Sequence, residues 1–212
     1  PDLETTERLL LAMDGAGADL IELGIPFSDP TAEGPVIMAA SERALKAGAT
    51  LDRIFEMVRR VRPRLKAALA MMTYANVVFS YGTERCLQNA EEAGIAALIL
   101  PDVPFEEKAE FAPACTKHGI DFISLVAPTS AERIRMIASG ATGFVYCVSS
   151  LGVTGARAEI TTDIGAIVQK IRGATTIPVA VGFGISTEQQ AAQMAKLADG
   201  VIVGSAIVKL IE

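Results

Sequence analysis

Apolar residues fall into short runs separated by longer amphipathic stretches. The runs are ADLIEL (18–23), AALAMMTY (67–74), ALILP (97–101), DFISLVA (121–127), GFVYCVS (143–149), PVAVGF (178–183) and GVIVG (200–204). Their length and content predict seven strands. Between them, LDRIFEMVRRVR before Pro63, TERCLQNAEEAG with Thr83 at its head, SAERIRMIASG (130–140) and STEQQAAQMAKLADG (186–200) combine helical spacing with caps and stops. Strand alternating with helix implies parallel strands joined by crossovers, and runs apolar on both faces fit a sheet covered by helices.

Two parallel architectures meet that pattern, an open doubly wound sheet and a closed barrel. A dinucleotide-binding sheet carries GxGxxG after its first strand, whereas here the first strand runs into Gly-Ile-Pro-Phe-Ser-Asp-Pro. The glycine-rich turns come late, at VGFGIS (181–186) and VGSAI (203–207), where barrels build phosphate sites after strands seven and eight. The expected fold class is therefore α/β, a (β/α)8 TIM barrel, with residues 1–212 as a single domain. Seven strands do not close eight. The chain starts on a helix, ETTERLLLAMDG, and stops just after a strand, at IVKLIE. A first strand and a last helix are thus missing from the pattern, and the expectation is that the chain is part of a longer protein.

Composition narrows the function classes. Half of the 212 residues are apolar, enough for a substantial core, and a net charge of −6 without basic runs offers nothing to nucleic acid or an anionic membrane. No stretch is apolar enough to span a bilayer and the start does not read as a signal peptide, so the cytoplasm is the expected location. Cys86, Cys115 and Cys147 are odd in number and far apart, and His118 is the one histidine, so neither disulfide nor metal is expected. His118, Cys86 and Cys115 read as structural, and Cys147 as a small hydrophobe in a strand.

One charge breaks the apolar pattern. Glu22 lies near the end of the first visible strand, and in a barrel such a position faces the catalytic mouth. There it is either a partly desolvated carboxylic acid suited to proton transfer, or an interior glutamate paired with a Lys or Arg from a neighbouring strand. The segment that follows carries three prolines, a Ser-Asp pair and a second glutamate, Glu33, a composition that suits a substrate-facing loop. Without further context, Glu33 reads as a solvated charge. Loop SSLGVTGAR (149–157), with two glycines around Val-Thr, has the composition of a lid, or of a plain mobile loop.

ELGIPFSDPTAEGP (22–35) resembles the ELGxPFSDPxADGP signature of the tryptophan synthase α subunit family. The resemblance continues through MTYANVVFSYG (72–82), LPDVPFEE (100–107), LVAPTS (125–130), GFVYCVSSLGVTGAR (143–157), VAVGFGIST (179–187) and GVIVGSAIVK (200–209). It covers essentially the whole chain, in order. It implies a (β/α)8 barrel that cleaves indole-3-glycerol phosphate to indole and glyceraldehyde 3-phosphate, a retro-aldol reaction with no metal or organic cofactor.

The resemblance also implies roles for residues. Glu22 takes the place of the family's proton-shuttling glutamate. Glu33 stands where the family has the aspartate that accepts the indole N–H, and its extra methylene predicts reduced but real activity. Tyr146 matches a tyrosine that bonds the glycerol hydroxyls or orients Glu22, although a tyrosine in a parallel strand is otherwise a core aromatic. Tyr74 and Phe183 fall where the family lines the indole pocket, and both also fit ordinary barrel packing. Gly184, Gly204 and Ser205, with Gly155, match phosphate-contacting positions, and Thr154 matches a lid threonine. The implied partner is a β subunit in an α2β2 heterotetramer, with the PFSDPTAEGP and LPDVPFEE loops near the interface. A free-standing lyase and a non-catalytic binding or activating subunit remain as alternatives at this point.

Overall fold

The computed structural model describes residues 2–148, 163–182 and 184–211. By internal contacts the chain divides into two compact units, Pro1–Pro30 with Ala39–Phe122, and Thr31–Met38 with Ile123–Glu212.

In the first unit α1 (Leu3–Gly15) leads into β1 (Leu20–Gly24). Then come α2 (Pro35–Lys46), which starts in the second unit's segment, α3 (Leu51–Val61), β2 (Ala68–Met72), α4 (Ala75–Tyr81), α5 (Thr83–Ala93), β3 (Ala97–Ile99), α6 (Ala112–Lys117) and β4 (Asp121–Phe122). The four strands form one parallel sheet in the order β1-β2-β3-β4, with Glu22 opposite Ala70 and Gly24 opposite Met72. Side chains alternate between the two faces. Ile21, Leu69, Met71, Leu98 and Leu100 join Phe55, Val58 and Leu87 of the helices in one apolar cluster. Glu22 and Ala70, out of phase with that set, face away from the helix layer.

The second unit repeats the plan with β5 (Ser124–Val126), α7 (Ala131–Ser139), β6 (Val145–Val148), α8 (Ile164–Arg172), β7 (Val179–Gly182), α9 (Glu188–Met194), β8 (Gly200–Val201) and α10 (Ser205–Leu210). Its strands are again parallel and sequential, β5-β6-β7-β8.

Several local expectations need correction. The run at 121–127 is not one strand: β4 pairs with β3, β5 pairs with β6, and Ile123 alone separates them, so the seven apolar runs yield eight strands among the described residues. Thr83 is not a cap. Gly82, at φ 93°, closes α4 through its N–H to Phe79 and opens α5 by accepting from Cys86, so Thr83 already lies inside the helix. The helix at 186–200 starts from Thr187, whose hydroxyl and the Gln190 side chain form a reciprocal capping box. It ends at Met194, after which the N–H groups of Lys196 and Leu197 bond to Gln193 and Met194 in a tightened last turn. The closing segment, expected to stop just after a strand, carries the six-residue α10. No helix among the described residues is long and apolar enough to cross a membrane.

Candidate active site

Glu22 sits in the middle of β1, flanked across the ladder by Ala70. The residue is half-buried, but its Oε1 is fully buried and has no hydrogen-bond partner among the described residues. Burial alone pushes its proton affinity up, from 4.5 to about 7, because the charged form loses solvation and gains no compensating cation. Among the described residues no lysine or arginine forms an ion pair with Glu22, so the alternative of a pairing from a neighbouring strand is not what they show. Thr73 Oγ1, just past the end of β2, is the other buried side-chain oxygen without a partner among the described residues.

Tyr74 follows Thr73 and is buried, with its ring 5.5 Å from that of Phe27 in the loop after β1. Two aromatic faces thus meet at the C-terminal ends of β1 and β2. In the same loop Ser28 donates to the Asp29 carboxylate. Asp102, in the turn after β3, accepts the Ala75 N–H on both carboxylate oxygens, at 3.2 and 3.1 Å.

The other candidates belong to the second unit. Glu33 stands two residues before α2 and is half-buried. Tyr146, 4% exposed, lies in β6 opposite Ala180 of β7. A Cβ built on Gly182 would come within 2.6 Å of the Tyr146 hydroxyl, so β7 ends on glycine because the phenol occupies the space of a side chain. Gly184 has φ 84°, a left-handed conformation that favours glycine, in the loop that leads to α9. Gly204 is the N-cap of α10 and Ser205 its first residue; a Cβ at Gly204 would meet nothing within 4 Å, so the chain's own packing does not demand glycine there. Phe183, Thr154, Gly155 and the lid loop lie outside the described residues. The sequence reading missed Phe27, Gly182 and Asp102. All three belong to motifs visible in the sequence, but the ring contact, the phenol overlap and the bond from Ala75 N–H to Asp102 have no signal in one dimension.

His118, Cys86 and Cys115 belong to α5, α6 or its end in the first unit, and Cys147 follows Tyr146 in β6. Each imidazole nitrogen faces a glutamate of α5, and the three thiols are free, buried and pushed up to about 12 by burial.

The family model for the tryptophan synthase alpha chain matches residues 1–212. The chain belongs to the tryptophan synthase alpha chain family. The alpha chain of Geobacter sulfurreducens is 53% identical over 213 residues, covering 100% of this chain and 81% of that protein. That of Lacticaseibacillus casei is 46% identical, again over 100% of this chain and 79% of the relative. Among solved structures, the alpha subunit from Campylobacter jejuni superposes with a TM-score of 0.85 at 39% identity, over 97% of this chain and 83% of that one. The tryptophan synthase α2β2 complex of the hyperthermophile Pyrococcus furiosus gives 0.88 at 39% identity, over 100% of this chain and 86% of its counterpart. The fold class is that of these relatives, the (β/α)8 barrel. The activity is the family's lyase reaction in tryptophan biosynthesis, cleavage of indole-3-glycerol phosphate.

Proposed function

We propose that Glu22 carries both proton transfers of the cleavage. The supporting observation is its buried Oε1, which has no hydrogen-bond partner among the described residues, in a carboxyl whose proton affinity burial raises to near neutrality. In the neutral acid form it donates to indole C3, and the ring nitrogen takes up the positive charge. The resulting Glu22 carboxylate then removes the proton from the hydroxyl on the carbon attached to C3. That O–H electron pair becomes the aldehyde C=O, and the C–C bond pair returns to the ring and neutralises the nitrogen. Indole and glyceraldehyde 3-phosphate leave, and Glu22 is again protonated.

Glu33 accepts the indole N–H and holds the transient charge on nitrogen. Tyr146 binds the glycerol hydroxyls, and Tyr74, Phe27 and Phe183 give the flat apolar ring its pocket. Gly184, Gly204 and Ser205, with Gly155, present backbone N–H groups to the phosphate. Thr154 belongs to the lid. The chain works in the cytoplasm, docked on a β subunit in an α2β2 assembly like that of the Pyrococcus furiosus relative.

Two measurements test these roles. Indole release by the chain with its β subunit should have kcat/KM falling as pH rises through about 7. Glu22→Gln should lower kcat by about 10²- to 10⁴-fold and abolish that limb; a variant with near-parental turnover removes Glu22 from the mechanism. Glu33→Asp, which shortens the reach to the family's residue, should raise kcat/KM by about tenfold if the longer side chain misplaces the carboxylate. An unchanged or lower value means the loop has already absorbed the methylene.

A further inference from the structure

Tyr74 occupies the N-cap of α4, a position that ordinarily calls for Ser, Thr, Asp or Asn, and its side chain makes no capping bond. The helix end is nevertheless satisfied. Asp102, 27 residues further along, reaches from the turn after β3 and takes the Ala75 N–H between its two carboxylate oxygens. One residue before Tyr74, the Thr73 N–H bonds to the Ile99 carbonyl, so the exit of β2 is tied to β3 on both sides of the tyrosine. At the far end of α4, Tyr81 donates to Asp52, to which Arg85 also bonds at 3.2 Å. The short helix is anchored at both ends.

From this arrangement we infer that Asp102 is a positioning residue for the cleavage reaction: by capping α4 from a neighbouring loop, which a tyrosine at the N-cap cannot do for itself, it holds the exit of β2 and with it the Tyr74 ring against Phe27. The inference rests on the reading of Tyr74 as part of the indole pocket. Such a pocket binds the ring in both ground and transition states, so a misplaced wall raises KM more than it lowers kcat. A loss of folded protein does the reverse.

The test is steady-state cleavage of indole-3-glycerol phosphate by the full chain, alone and with its β subunit. Asp102→Ala should raise KM about tenfold with kcat within about twofold. Asp102→Asn, which keeps one acceptor oxygen, should stay within about threefold of the parent. In a Tyr74→Leu background, Asp102→Ala should add almost nothing, as expected of two residues that act through one feature. Tyr74→Leu without effect on KM overturns the pocket reading itself. With that reading intact, four outcomes overturn the role of Asp102 alone. They are an unchanged KM, a fall in kcat at constant KM, an effect seen only with the β subunit, and effects of the two substitutions that multiply.

Discussion

A carboxyl group that stays neutral near pH 7 destabilises the fold whenever it ionises. For Glu22 the sign is set by its raised proton affinity: below pH 4.5 the group is protonated both folded and unfolded, and the burial carries no charge. Between 4.5 and about 7 the unfolded chain releases the proton and the folded one keeps it, so stability falls over that interval and levels off above it. At about 1.4 kcal/mol per tenfold change in affinity, the loss is about 3 to 4 kcal/mol. Glu22→Gln, neutral throughout, should therefore unfold at higher denaturant than the parent at pH 8 and at the same concentration at pH 4. Equal midpoints at both pH values would mean that the carboxyl is solvated. The site thus trades stability for a usable acid, which is the expected cost of placing a proton carrier in an apolar strand.

Elements show a second pH dependence, of opposite purpose. His118 caps the end of α6, and its ring is 9% exposed between Glu91, 2.7 Å from Nδ1, and Glu84, 3.0 Å from Nε2, both on α5. Lys117 of its own helix also bonds Glu84. An imidazole can donate from both nitrogens only when protonated, so the bond to Glu91 first, and that to Glu84 next, raise its proton affinity above 6.5. The α5–α6 brace is complete below pH 6.5 and weakens as pH rises through the raised value. The glutamates are 55% exposed, so water screens the pair and the effect is small. Thermal melts across this interval should show the parent losing a modest stabilisation that His118→Gln lacks at every pH; parallel curves would show that the brace contributes nothing. Which elements were legible follows from length. α3 and α5, with 11 residues each, show their periodicity in the sequence, whereas α4 and α10, with seven and six, are shorter than the window in which a helical pattern repeats. The nine-residue α8 is different: Ile164, Ile167, Val168 and Ile171 carry the helical spacing, and the signal was there to be read.

Across the whole molecule, the alternation of apolar runs with amphipathic segments by itself determined the parallel α/β plan, because a strand apolar on both faces has no stable place except under helices. The motifs likewise determined the family, and with it the reaction. Tertiary structure decided what no linear pattern contains. The proton affinity of Glu22 comes from desolvation by neighbours brought in from other strands. The glycine at 182 answers to a phenol on β6, and the cap of α4 comes from a residue 27 positions away. Local periodicity reports which face of an element is apolar; the energy of a charge or a contact depends on what lies across the gap, and folding alone sets that distance.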